Sequence, residues 1–391
     1  MNRPINIIYV GNYRPQTGGA PIFCAELMSA LAREGCRARV LTSITDETRV
    51  ETINFDAAQS PVEIQRFSVP FYFHDPFEPE PPRFREATRT GIGAGLERMI
   101  EESRPDVLLI REGWLPYTNN IARKHSVPTV ALVRGNPTNA ILRGVFPVDL
   151  AGTFMKELKR ADRIVTVAHH FLPGLKQLGF NNARCITNTV NLEAFKPRPK
   201  DSALATELEI RESDIIALHA AQCKPIKRPL DIVYSSPAVL RRNPKVLYVI
   251  LGEGVSRKEM KTMTEQLGVA KRFRFKRFVE YEQMPRYINL ADMVIMPSES
   301  EGLSRMYLET QACAKTLIAS DIPAAWEVVT PGKTGLLFKK GDIGDLTQKV
   351  LIAAGNPKLR ISIGVSALQQ IQNHNITKIV EAYLTVIREL L

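Results

Sequence analysis

Short apolar runs and longer amphipathic stretches alternate along this chain. Ile7 to Val10 is an unbroken apolar run that stops at Gly11, the pattern of a strand buried on both faces of a parallel sheet. A loop from Asn12 to Ala20 follows, with Pro15, Gly18 and Gly19. Phe23, Leu27, Leu31 and Ala32 then recur at helical spacing until Gly35 stops the helix. Ala38 to Thr42 predicts the next strand, so the chain opens on a β-α-β unit with a glycine loop between strand and helix. The rhythm continues with strands predicted at Ile64 to Val69, Val107 to Ile110, Pro128 to Val133, Ile164 to Val167 and Ala183 to Ile186. Helices are predicted over 85–103, 121–124, 154–161 and 171–178. A second series starts at Ile215 to Ala220 and runs through Val246 to Leu251, Phe273 to Phe278, Met293 to Met296, Thr316 to Ala319 and Gly335 to Phe338. Strands alternating with helices predict parallel sheets covered by helices.

Residues 196–213 (KPRPKDSALATELEIRES) carry two prolines, many charges and little periodicity, and read as the link between two domains. The expected domains are therefore 1–200 and 201–377, two Rossmann-like doubly wound α/β units with no sequence repeat between them. The segment 378–391 is an amphipathic helix with Ile379, Ala382, Tyr383, Val386, Ile387 and Leu390 along one side. Ligands of an open α/β sheet sit beyond the carboxyl ends of its strands. Two such domains facing each other would build a cleft. Chemistry is thus expected in the loops 11–20, 111–117, 134–138, 188–191, 221–228, 252–256 and 297–305.

The length of 391 residues allows two cores that need no disulfide or metal staple. Hydrophobic residues at 44% and charged residues at 24% exclude disorder and coiled coil as the main class. No apolar run approaches the roughly 18 residues of a bilayer-spanning helix. The start MNRPINIIYVG has no leader-like apolar region, so a cytoplasmic location is expected. Cys24, Cys36, Cys185, Cys223 and Cys313 form no C-x-x-C pair, which fits reduced thiols. The net charge of +11 favours phosphate-bearing partners or an anionic membrane face. The basic residues are spread over both halves without a nucleic-acid motif, so nucleic acid is not an expected partner. Phe67, Phe71, Tyr72, Phe73 and Phe77, broken by Pro70 and Pro76, read either as loop packing or as a flap touching acceptor or lipid. Gly91-Ile92-Gly93-Ala94-Gly95 follows no strand and reads as part of a helix. His169-His170 has no third ligand nearby and reads as loop.

The richest stretch runs from Pro297 to Val329. After the strand ending at Met296, a loop holds Glu299, Glu301 and Gly302, and a helix begins near Ser304. Ser304 is a candidate cap, and the N–H groups of Leu303, Ser304 and Arg305 at the helix start form an anion site suited to a diphosphate. Arg305 adds charge there. Glu301 and Glu309 are spaced to hold hydroxyls of a bound ligand, in contrast to a hydrolase pair about 5 Å apart across a scissile bond.

These residues resemble those of a family 4 retaining glycosyltransferase of the GT-B fold. Glu301 to Glu309 matches its E-x7-E. An A-C-x-K-x-x-I-A-S-D-I-P run and a G-x-T-G-L-L-F run follow in the family's order. Gly18-Gly19 matches its first glycine loop, and Asn188-Thr189-Val190-Asn191 with Phe195 and Pro197 its interdomain segment. Lys227-Arg228 matches the lysine after the first strand of the second domain, and Gly252-Glu253-Gly254 the G-x-G after the next strand. The resemblance implies that the second domain holds a nucleotide sugar and the first an acceptor, with the 378–391 helix crossing back onto the first domain. Glu309 would bond the ribose, Glu301 the transferred sugar, and Lys227 would neutralise the leaving diphosphate. Gly18 and Gly19 would let backbone approach the donor. Retention without a metal is implied, and no D-x-D triplet is present.

Four positions depart from the family, one of them Ala324-Ala325 where the family has Gly-Gly after the aspartate. Gln222 stands where an arginine is frequent, with Lys224 or Arg228 as substitutes for its charge. Arg134-Gly135 replaces a histidine-glycine whose histidine touches the donor sugar, which suggests an anionic or differently oriented sugar. Ala314-Lys315-Thr316 replaces G-K-P. The resulting expectation is a glycosyltransferase using a nucleotide sugar as substrate, a UDP-sugar favoured, with no cofactor. Its acceptor would be a polysaccharide, a lipid or a small molecule, met with peripheral contact at the inner membrane face. Its rivals are a nucleotide-sugar epimerase and a non-catalytic sugar- or phosphate-binding homologue.

Overall fold

The apolar runs of the first half become seven parallel strands. They are β1 (Asn6–Val10), β2 (Arg37–Thr45), β3 (Glu63–Val69), β4 (Val107–Arg111), β5 (Thr129–Val133), β6 (Arg163–Thr166) and β7 (Ala183–Cys185). Their order across the sheet is β3-β2-β1-β4-β5-β6-β7. The second half supplies β8 (Ile215–Ala220), β9 (Val246–Leu251), β10 (Phe273–Lys276), β11 (Met293–Met296), β12 (Thr316–Ser320) and β13 (Leu336–Phe338). These form a parallel sheet ordered β10-β9-β8-β11-β12-β13. The computed structural model describes residues 3–14, 16, 18–45, 61–70, 81–135, 138–145, 148–277 and 279–391. Phe71, Tyr72, Phe73 and Phe77 of the aromatic cluster lie outside the described residues.

Both sheets are doubly wound. The chain first builds outward in one direction, then returns to the centre and builds the other way. The reversal falls between β1 and β4 in one sheet and between β8 and β11 in the other. Loops leaving those neighbouring strand ends diverge and leave room for a ligand.

The two compact units are Met1–Asn188 with Ile376–Leu391, and Thr189–Asn375. The stretch 196–213, read from its charges as a link, belongs to the second unit. Its polar groups have partners there: Asn289 accepts the Arg198 N–H at 2.8 Å and donates to the Lys196 carbonyl at 3.0 Å. Asp201 caps the helix Ser202–Glu207 through the Leu204 N–H at 2.9 Å. Charge density without periodicity reads as a solvated linker, but these charges pair with the second unit: Asp201 with Arg286, Lys200 with Asp292, Glu207 with Lys276 and Glu209 with Arg274. The chain instead leaves the first unit after Asn188 and re-enters it at Ile376.

The helix Gly19–Arg33 puts Phe23, Leu27 and Leu31 into the first core. The helix Ile376–Arg388 adds Ile379, Val380, Tyr383 and Ile387 to the same core. The helix Pro82–Ser103 lies close on β2 and β3. A Cβ on Gly91 would stand 2.1 Å from Phe67 Cδ2, so the glycine-rich stretch serves helix-to-sheet approach.

Candidate active site

In the second unit, Lys227 ends the 3-10 turn Pro225–Lys227 after β8, and Glu301 follows β11. They meet across the point where the strand order reverses. Lys227 Nζ donates to both Glu301 oxygens at 2.7 Å, and Ser298 Oγ donates to Oε1 at 2.7 Å. The Glu299 N–H bonds the Ile226 carbonyl at 2.8 Å, so the two loops are tied by backbone as well. Beneath them, β8 and β11 pair only as far as Leu218 and Val294. His219, fully buried, continues the seam by donating Nδ1–H to the Ile295 carbonyl at 2.9 Å. Burial holds its pKa down at about 4, with the Lys227 charge adding to the effect against the Ile295 bond, so the ring is neutral.

The glycine turn after β9 borders this site. Gly252 has φ +134, and a Cβ there would lie 2.0 Å from the Ala221 carbonyl oxygen. Only glycine lets this turn sit against the loop after β8. Arg257 donates to the Gly252 and Lys276 carbonyls at 2.7 and 2.8 Å, which fixes the turn.

The helix Arg305–Ala312 is buried along its whole length. Gly302 and Leu303 lead into it. Ser304 occupies the N-cap position in extended backbone, but its hydroxyl makes no capping bond; its carbonyl accepts the Tyr307 N–H at 3.2 Å. The expected side-chain cap is therefore absent. Arg305 is turned inward. Its Nε donates to Glu309 Oε1 at 3.3 Å, Tyr281 OH donates to the same oxygen at 3.1 Å, and a second guanidinium nitrogen bonds the Tyr281 hydroxyl. Arg305 and Glu309 side chains are each 4% exposed. The Tyr281 ring lies 5.3 Å from the guanidinium and 5.4 Å from Phe195. Arg305, read from the sequence as a diphosphate charge, here neutralises the buried Glu309. Arg228 is similarly committed, to Asp231 at 2.8 Å and Glu299 at 3.7 Å. Gln222 is exposed in the loop after β8.

The first unit brings a different group together. Gly18 is the N-cap of the helix Gly19–Arg33, at φ +119. Arg134 follows β5, and its guanidinium stacks 3.8 Å from the Phe23 ring centroid, one helical turn from Gly19. Its guanidinium also bonds Asn188 Oδ1. Arg111, at the end of β4, bonds Asn12 Oδ1 after β1. Next to it, Glu112 is 1% exposed. Burial pushes its carboxyl up to about 7, against hydrogen bonds from Thr138 and Arg134 and the Arg111 charge.

Ser298, Tyr281, His219 and Glu112 were not singled out from the sequence. His219 is a lone polar residue inside the apolar run IIALHA, and Glu112 follows the apolar run VLLI by one residue; both are readable anomalies. Tyr281 lies in a 3-10 turn and carries no such signal. Among the described residues, no group of three His, Cys, Asp or Glu side chains is placed to hold a metal ion. No described helix is long and apolar enough to cross a membrane.

The two parallel-sheet α/β domains define the GT-B glycosyltransferase fold. Residues 202–369 match glycosyl transferases group 1 and residues 18–189 match the glycosyl transferase 4-like domain. It is 27% identical over 184 residues to a GDP-mannose-dependent alpha-(1-6)-phosphatidylinositol monomannoside mannosyltransferase of Mycolicibacterium smegmatis, covering 45% of this chain and 48% of that protein. It is 22% identical to a D-inositol 3-phosphate glycosyltransferase of Gordonia bronchialis, covering 94% of this chain and 83% of that one. For several such curated relatives the match spans less than half of their length. Among solved structures, Anabaena HepE in complex with UDP and glucose shares the fold at a TM-score of 0.81 and 16% identity, covering 98% of this chain and 100% of that one. Sucrose-phosphate synthase from Thermosynechococcus elongatus does so at 0.80 and 17%, covering 100% and 99%.

Proposed function

We propose that this protein transfers a sugar, with retention and without a metal, from a nucleotide-sugar donor to a hydroxyl of a polysaccharide, lipid-linked or small-molecule acceptor. The observation that carries the reading is the Lys227–Glu301 pair at 2.7 Å on the carboxyl edge of the second sheet, eight residues before the buried Glu309. In this reading Glu309 accepts the ribose hydroxyls. Glu301 orients hydroxyls of the transferred sugar. Lys227 and the N–H groups of 303–305 meet the charge that grows on the diphosphate as its bond to the anomeric carbon breaks. Gly18, Gly19 and Arg134 serve the sugar from the first unit. The products are the glycosylated acceptor, a nucleoside diphosphate and one proton.

A UDP-sugar is the proposed donor, supported by the UDP-glucose named with the Anabaena structure. Calorimetry with UDP and GDP tests it. Glu309→Gln is expected to weaken nucleoside diphosphate binding by about 1.5–3 kcal/mol, the scale of a hydrogen bond to a charged group; because it also unpairs the buried Arg305, folding of the variant is checked in the same experiment. Unchanged affinity would remove Glu309 from the site. Nucleotide release that requires an acceptor separates transfer from epimerisation, which would isomerise the donor alone.

The accompanying partner is an anionic leaflet. A depression of 770 Å³ on the first unit is lined by Arg123, Lys156, Lys159 and Arg160 around Met155. Each basic residue near such a surface contributes about 1 kcal/mol, screened by salt. Flotation with phosphatidylserine vesicles at low salt, lost at high salt, is the expected result; none at low salt refutes it.

A further inference from the structure

The turn after β5 is held by one buried carboxyl. Glu112 accepts the Arg134 N–H at 3.0 Å on one oxygen and the Thr138 hydroxyl on the other. Its ties thus reach both ends of the segment that joins β5 to the helix Thr138–Leu142. The Arg134 side chain is fixed from another direction, by Phe23 and Asn188. Backbone and guanidinium of Arg134 therefore have separate anchors. Glu112 is the backbone anchor, and it touches none of the groups that hold the guanidinium.

We propose that Glu112 is a positioning residue for sugar transfer: it fixes the backbone of Arg134 at the carboxyl edge of the first sheet and acts on the reaction only through that arginine. The inference rests on the proposed contact of Arg134 with the sugar. It makes Glu112 matter for rate while leaving nucleotide affinity, a property of the second unit, unchanged.

Hydrogen exchange on the full chain reads the anchor without any substrate. In Glu112→Ala, peptides containing Arg134, Gly135 and Thr138 should exchange faster, with other first-unit peptides unchanged. In the same variant kcat should fall by about 10- to 100-fold, the effect of displacing a reacting group by about 1 Å. Nucleotide Kd should not move. Glu112→Gln keeps one accepting oxygen and can donate to Thr138, so it should restore most of the protection and most of kcat. Should the alanine variant not fold, Thr138→Val, which removes one tie and leaves the carboxyl, provides the same comparison. In the double variant with Arg134→Ala the two losses should not add. Unchanged exchange, or losses that add, overturns the inference while leaving the reading of Arg134 in place. Arg134→Ala at the full rate instead removes Arg134 from the reaction, and the inference falls with it.

Discussion

Lys227→Ala is expected to lower kcat by about 100- to 1000-fold, the loss seen when one preorganised donor to a developing oxyanion is removed. The ammonium sits 2.7 Å from both oxygens of Glu301 and is a quarter exposed, so the protein itself holds it in place. A leaving diphosphate gains charge as the glycosidic bond breaks. An ammonium already oriented toward it stabilises the transition state more than the bound donor. The loss should therefore appear in kcat, with a smaller change in donor Kd. Lys227→Arg should not restore the rate, because a planar fork cannot replace a compact point charge between Glu301 and a phosphate. A variant that loses only donor affinity would make Lys227 a docking residue. Full activity would end its assigned role.

Arg305→Leu is expected to destabilise the second unit by about 3–5 kcal/mol, the cost of removing one member of a buried ion pair. Glu309 would keep its carboxylate in a site where it is almost wholly buried, facing Tyr281 but no longer the guanidinium. Pairing the change with Glu309→Gln should recover much of the loss, because the charge that needed Arg305 is gone. Urea unfolding followed by a probe in the second unit measures both. A loss near zero for the single variant would mean that the buried carboxylate is neutralised by other means. The two substitutions also separate stability from recognition. The double variant should be folded and still bind nucleotide poorly.

Much of the fold was legible because buried parallel strands are apolar on both faces. Ile7 to Val10 and Val246 to Leu251 could be nothing else at their length, and they became β1 and β9. The spacing of Glu301 and Glu309 around a glycine and a helix start was equally readable. Direction of side chains was not. The sequence puts Arg305 beside the helix start, where a charge helps an anion. Whether it turns outward to a ligand or inward to Glu309 depends on Tyr281, which is 24 residues away in sequence and arrives by way of β11. Glu112 and Arg134 belong to loops after neighbouring strands, and their bond follows from strand order, which periodicity does not contain. The boundary between units was misplaced for a related reason. A charged, aperiodic stretch looks the same whether its partners are water or the side chains of Arg274, Lys276, Arg286 and Asp292.

The chain leaves the first unit after Asn188 and supplies that unit's last core helix only at Ile376–Arg388. On a ribosome this reverses the usual order of domain maturation. The second unit is one continuous segment and can close as soon as it has emerged. The first has all seven strands synthesised but lacks the cover formed by Ile379, Val380, Tyr383 and Ile387 until the intervening segment is made. At about 5–20 residues per second, that leaves Phe23 and Leu27 awaiting their partners for about 10–40 s. The half of the protein made first is the half completed last, and in that interval its uncovered helix Gly19–Arg33 is the surface a nascent-chain chaperone would find.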